Sequence, residues 1–411
     1  MAETCKYIRE KSINIFSILF LLTLLSVMGS YAYENSALRI LSYLFECALI
    51  AYIFIASSRS HSNHINYIAV SIVSIIIVLN YMFSPNEPEY SDLLKFLGYY
   101  GCFKYGDYLA SRYDNLKVNK ICLLLIVFLP ALLVAFLDHT VYKNFFFRSP
   151  NGFVYLGVAI AAFYLLVAGH DKKHFLIAVL VAAFYILICT SLGVVVAALL
   201  AIMVLNLKST HIIYIILGVF LLYNIILFVD IPIFVRIRDV FNVWDYIFDY
   251  NIRDISNVDL HELNNLDKEG ERTDSSSSVW RIVHWINLLQ MYLSNAWAIP
   301  FGLGAGFSVK ATDFAPHNCY LQILIEYGLV VFIFFIKFVF KVYRSLKTEG
   351  MLIYFILTML LYYLTENLLY NFPPGALMYF IIGWTLCKYG KNNTHSRKKY
   401  LSVVRNAKNG E

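Results

Sequence analysis

Long apolar runs, almost free of charge, recur from one end of this chain to the other, and they limit its possible folds more than any other feature. The first is Ile13–Met28, and the last is Pro374–Cys387. A helix needs roughly 20 such residues to cross the hydrocarbon of a bilayer, where a backbone must satisfy its own hydrogen bonds. A chain of 411 residues that is 60% hydrophobic and only 15% charged could not solvate the surface of a soluble body. A soluble enzyme, a disordered chain and a secreted disulfide scaffold are excluded on that ground. The expected class is all-α, a polytopic membrane protein whose first partner is the lipid bilayer.

Hydropathy draws about 12 spans. They are Ile13–Met28, Ala37–Ala56, Ile65–Phe83, Leu93–Ala110, Ile121–Leu137, Phe153–Ala168, Phe175–Thr190, Leu192–Leu207, Ile212–Val229, Tyr320–Val342, Met351–Asn367 and Pro374–Cys387. Lys95, Lys104 and Asp107 make the fourth the weakest, and the tight Thr190–Ser191 link suggests a helical hairpin. The first run lacks a small-residue cleavage site and reads as a retained span. Alternate connections carry the basic residues: Lys6, Arg9 and Lys11; Arg59; Arg112, Lys117 and Lys120; Lys172 and Lys173; Lys208; Arg344 and Lys347; and the tail from Lys391. The positive-inside rule then puts both termini in the cytoplasm. The same distribution argues against nucleic acid as the reason for the net charge of +6, because the cations mark topology. The seven cysteines show no CxxC or finger spacing and most lie in apolar runs, where a small buried thiol is the ordinary reading.

Four segments follow: nine spans in residues 1–229, a large outer loop at 230–318, three spans in 319–390, and a basic cytoplasmic tail at 391–411. Loops as long as this one are usually functional or disordered. It is acidic early (Asp239, Asp245, Asp249, Asp254, Asp259, Glu262), then Ser-rich at Ser275–Ser278. Those serines are N-cap candidates for an amphipathic helix over Val279–Ser294. Arg281, His284 and Leu288 share one face; Trp280, Val283 and Met291 share another. Arg281 is either an interfacial anchor or a phosphate ligand, since a guanidinium grips phosphate oxygens through paired donors. Next come Pro300, Gly302, Gly304 and Gly306, a turn able to bend sharply or approach a ligand closely. It lacks the context of a nucleotide-binding loop. His317 and Asn318 then precede a span carrying Gln322, Glu326 and Gly328. A histidine at the water–lipid boundary near an arginine helix is a candidate for proton transfer. Glu326, deeper in the apolar run, must be partnered or neutral. Trp244, Tyr246, Asp245 and Asp249 are equally readable as sugar contacts or as ordinary loop packing. His170, Asp171 and His174 have metal-like spacing, but they occupy a short basic turn where a solvated reading prevails.

Arg281, the Pro300–Gly306 turn, and His317-Asn318 followed by Gly328 resemble the O-antigen polymerase (Wzy) and O-antigen ligase superfamily. Pro150-Asn151 opening one span and Thr365-Glu366-Asn367 in the penultimate one agree with it. The repeated-glycine turn is more like the polymerases. Two departures stand out. Many relatives carry Ser-Arg where this chain has Ser191-Leu192, so Arg148, Arg236 or Arg238 would have to replace that arginine; and a glycine of the family is Val331 here.

The resemblance implies a GT-C-like fold and a metal-independent, inverting glycosyl transfer with no cofactor, at the periplasmic face of a Gram-negative inner membrane. The donor would be a glycan on undecaprenyl pyrophosphate, and the acceptor a lipid-linked repeat unit of lipopolysaccharide O-antigen. Arg281, with Arg236 and Arg148, would clamp the pyrophosphate. His317 would take the acceptor's proton or hold phosphate, and Asn318, His284, Glu326, Gly302 and Gly304 would line the substrate site. A chain-length regulator is a candidate partner. Two alternatives stand beside the polymerase: a ligase moving glycan to lipid A–core, and, from another class, a flippase for lipid-linked oligosaccharide. The flippase predicts two similar halves and short loops, whereas this chain shows no internal repeat and one dominant loop.

Overall fold

In a computed structural model, the structure describes residues 13–27, 36–58, 67–83, 90–113, 116–136, 150–169, 171–189, 191–206, 274–346, 350–369 and 371–388. Every regular element among them is helical. In chain order these are α1 (Ile13–Val27), α2 (Ser36–Ser57), α3 (Tyr67–Phe83), α4 (Tyr90–Arg112), α5 (Lys120–Phe136), α6 (Pro150–Ala168), α7 (Lys172–Cys189) and α8 (Leu192–Asn206). After them come α9 (Asp274–Leu293), the short α10 (Ala298–Phe301) and α11 (Phe307–Thr312), α12 (Cys319–Leu346), α13 (Gly350–Tyr362) and α14 (372–388). The expected span at Ile212–Val229, the loop through residue 273, the tail from 389, and Arg148, Arg236 and Arg238 lie outside the described residues.

Two helices, α2 with 22 residues and α12 with 28, are long and apolar enough to cross a membrane by length and composition; α1, α3, α5, α6, α8 and α13 hold apolar stretches that are shorter. The core forms around α6 and α14. Phe153, Val154, Tyr155 and Leu156 are all buried, as are Ile160, Ala161, Ala162 and Phe163, so α6 is enclosed on every face. The same holds for α14 from Ala376 to Met378 and from Phe380 to Ile382. Helices that are apolar all round and still buried belong to the inside of a large bundle. α14 opens on Phe372, Pro373 and Pro374, in the first turn where a missing amide costs nothing. Its Gly383 meets α4 backbone to backbone: a β-carbon there would stand 2.0 Å from the Phe103 carbonyl oxygen. Small residues that let two backbones touch are how apolar helices gain contact when no water is available to drive them together. On the outer helices the pattern reverses. Ile55, Ile68 and Leu187 are 75%, 74% and 74% exposed, and Leu176, Leu180 and Phe184 line an open apolar face of α7.

Three local expectations change. α7 and α8 do not pair as a hairpin: α7 packs along α6, and α8 lies along α13, where Gly193 closes on Thr365 and Tyr362. The amphipathic helix starts at Asp274, ahead of the serines, so Ser275–Ser278 stand inside it. Its buried stripe is Trp280, Val283, His284, Leu288 and Tyr292, whereas Met291 is exposed. Finally, the run expected to span through Asn367 stops being helical at Tyr362. Leu364 and Thr365 donate amides back three residues, to Leu361 and Tyr362 at 3.0 and 3.1 Å, tightening the last turn so that the chain leaves the helix.

Candidate functional site

The end of α13 and the start of α12 complete each other. Asn318 caps α12, its Oδ1 accepting the Leu321 amide at 3.0 Å. The Cys319 amide, which has no partner inside its own helix, donates to the Tyr363 carbonyl at 2.8 Å. The Cys319 thiol donates to the Glu366 carbonyl at 3.1 Å and accepts the Leu368 amide at 3.0 Å. These bonds satisfy orphan groups of both helix ends, and they fix the turn that carries Glu366.

Glu366 is the hub of the site. Its side chain is 5% exposed, and it holds one partner on each oxygen: Arg281 Nη2 at 3.3 Å from Oε1, and His317 Nδ1 at 3.2 Å from Oε2. Arg281 comes from α9, His317 from the loop before α12 and Glu366 from the turn after α13, so three separate segments converge. His317 adopts a left-handed backbone, φ 48°. Non-glycine residues in that region cost on the order of 1–3 kcal/mol and cluster where surrounding structure imposes them for function. With Nδ1–H donating to the carboxylate, the neutral tautomer leaves the Nε2 lone pair as an acceptor. Arg281 and His317 keep about a third of their side-chain surface open (29% and 33%), so the pair faces outward over a buried anion.

Behind this front lies an aromatic wall. Trp280 stands edge-on to His317 at 5.7 Å and to Phe314 at 5.1 Å between ring centroids. His284 is fully buried, with Nε2 2.7 Å from the Thr312 hydroxyl, which itself donates to the Ser308 carbonyl. That hydroxyl therefore accepts from His284 Nε2–H, and the ring is neutral with Nδ1 as an unpaired acceptor. Burial first, and then repulsion from the His317 ring when it is protonated, push His284 down to about 4. The Trp285 indole donates to the Pro316 carbonyl and pins the loop just before His317.

The glycine turn docks on α12. Gly328, φ 82°, breaks the helical backbone there, and the Ile325 and Glu326 carbonyls accept the amides of Leu303 (2.7 Å) and Gly304 (3.1 Å). A β-carbon on Gly302 would lie 2.2 Å from the Glu326 carbonyl oxygen, and one on Gly328 2.4 Å from the Pro300 carbonyl oxygen. Asn80 of α3 adds a 2.9 Å bond to Phe301. The Glu326 carboxylate is fully buried, with Gln322 Nε2 3.3 Å from both of its oxygens.

Of the residues singled out in the sequence, Arg281 and His317 therefore meet through Glu366, and Asn318 stands beside them as a helix cap. His284 lies behind them against Thr312, while Gly302, Gly304 and Glu326 belong to the α12 kink. Arg148 and Arg236 are outside the described residues. Among the described residues no three His, Cys, Asp or Glu side chains converge as a metal-ligand group, and His174 pairs with Asp171 at 2.7 Å across its own turn. Glu366 was not among the anticipated site residues. Its signal was present: a carboxylate in the Thr365–Asn367 polar break of an otherwise apolar run is costly without a partner. No protein-family model matches the chain. No curated protein matches it either.

Proposed function

We propose that this chain is a polytopic inner-membrane glycosyltransferase of the O-antigen polymerase type, working on undecaprenyl-pyrophosphate-linked glycan at the periplasmic surface. The outward apolar faces of α2, α3 and α7 support the membrane placement, because contiguous apolar surface of that extent is incompatible with water. The single observation that carries the chemistry is the Glu366 carboxylate holding Arg281 and His317 side by side. Glycosyl transfer from a pyrophosphate needs a cation where negative charge accumulates and a base where a hydroxyl loses its proton, only a few ångströms apart.

In this reading the acceptor hydroxyl attacks the anomeric carbon of the donor sugar. Its oxygen–carbon bond forms as the bond to pyrophosphate breaks, and the leaving group departs with the electron pair. Most of the Arg281 donors remain after its single contact with Glu366, and they neutralise the departing oxygens. His317 Nε2 accepts the hydroxyl proton, while Glu366 stabilises the resulting imidazolium. No general acid is required, since pyrophosphate leaves as an anion.

The test is reconstitution of the full chain with a synthetic lipid-linked repeat unit and product length read by mass spectrometry. Lengthened lipid-linked glycan is expected from the native chain, with loss in Arg281→Ala at unchanged protein level. Transfer only to lipid A–core would make it a ligase, and vectorial movement without new glycosidic bonds would end the enzyme reading.

A further inference from the structure

A groove runs between α3, α4 and α12, and neither Arg281 nor His317 is among its walls. Its volume is about 1,060 Å³, and Val70, Ser74, Leu97, Phe103, Tyr327 and Phe334 are among its walls. That is just above the ~300–1,000 Å³ typical of small-molecule sites. Lys337 and Lys341 line it as well, and the same two lysines, with Arg344, line a second hollow of about 420 Å³. Lys337, Lys341 and Arg344 follow at i, i+4 and i+7, so they share one face of α12. All three are exposed. The buried Asp107 of α4 acts electrostatically on Lys341, whereas Lys337 and Arg344 form no ion pair with another described residue.

The length of α12 says where this end sits. Its two arms, residues 319–327 before the Gly328 kink and 329–346 after it, extend about 13 and about 27 Å along their own axes, together enough for a hydrocarbon thickness of ~30 Å. With Cys319 at the outer surface beside the candidate site, the last turns emerge in the headgroup layer of the opposite leaflet. Cations there commonly do no more than snorkel to water. These differ because an apolar recess opens beside them, at the depth of the acyl chains, and ends on the lysines themselves. The cytoplasmic leaflet is also the one rich in anionic lipid.

We propose that the groove and its basic end form a binding site for one anionic phospholipid of the inner leaflet, with its acyl chains between α3 and α12 and its phosphate on Lys337, Lys341 and Arg344. The proposal rests on the membrane placement proposed above, but not on the glycosyl-transfer chemistry.

Native mass spectrometry of the purified full-length chain, titrated with phosphatidylglycerol or phosphatidylcholine, tests it. One phosphatidylglycerol should be retained about tenfold more tightly than phosphatidylcholine. The double variant Lys337→Ala/Arg344→Ala should lose that preference, and Ser74→Trp, which fills the groove and leaves the charges, should lose retention of either lipid. Arg281→Ala should bind as the native chain does. Equal retention of the two lipids would overturn the site, and so would phosphatidylglycerol binding undiminished by Ser74→Trp, which would reduce the cations to a surface anchor. Preferred retention of a polyprenyl phosphate would give the groove to a substrate tail instead. Recovery of the chain in the soluble fraction, read before any lipid is added, would remove the membrane placement and this site together.

Discussion

At the scale of single residues, the site depends on one buried carboxylate serving two partners. Glu366→Gln keeps the shape and removes the charge that orients His317 and anchors Arg281. Misplacement of catalytic groups by about an ångström can cost ~10²-fold in rate. We expect Glu366→Gln to lower glycan elongation by that order with little change in melting temperature; a melting temperature that falls in step with activity would make Glu366 a scaffold residue only. His284 gives a separate, pH-dependent prediction. Its folded value of about 4 lies below the ordinary 6.5, so the unfolded chain takes up a proton first as pH falls. Its contribution is therefore fully present above pH 6.5 and is lost as pH drops toward 4, on the order of 3 kcal/mol across that window. Melting curves of the detergent-solubilised chain should show this decline, and His284→Gln should flatten it.

At the scale of elements, the kink in α12 and the turn that fills it act as one unit. The turn's amides take the Ile325 and Glu326 carbonyls, and this is possible only because neither Gly302 nor Gly328 has a side chain. Gly306 offers the control. Its φ is 73°, but a β-carbon there would meet nothing within 4 Å. Gly306→Ala should therefore cost only the left-handed strain, about 1–2 kcal/mol. Gly302→Ala must push a backbone carbonyl aside and should cost distinctly more, enough to lower the yield of folded protein. Equal melting temperatures for the two variants would mean that the turn does not pack on α12 as described. The end of α13 follows the same logic. Had the helix continued through Asn367 as its hydropathy suggested, Glu366 would not sit in the turn beside the first residues of α12.

At the scale of the whole molecule, the enclosed helices α6 and α14 make a centre, and the helices around them turn apolar residues outward. Basic connections and the acidic loop then fall on opposite sides in the topology proposed. Reporter fusions check this directly. An alkaline phosphatase joined within the 230–273 segment should be active, and fusions after Lys208 or in the tail beyond Lys391 should be silent. The reverse pattern would put Arg281 and His317 on the cytoplasmic side and end the periplasmic chemistry.

The sequence by itself determined that this chain is helical and apolar, and where most of its described helices begin and end. Those properties are local: hydropathy, charge spacing and proline placement act within a few turns. It also singled out Arg281 and His317, because ionisable groups at the edge of apolar runs are rare and costly. Only the tertiary structure decided that Glu366 joins them, that α8 leaves α7 for α13, and that the glycine turn meets the α12 kink. Each of those depends on which orphaned backbone or side-chain group finds a partner many residues away, and no local pattern encodes that distance. The buried stripe of α9 shows the same dependence. It takes Trp280 and Val283 from one face and His284 and Leu288 from the other, with Trp280 and His284 turned to the wall formed by Phe314, Thr312 and His317.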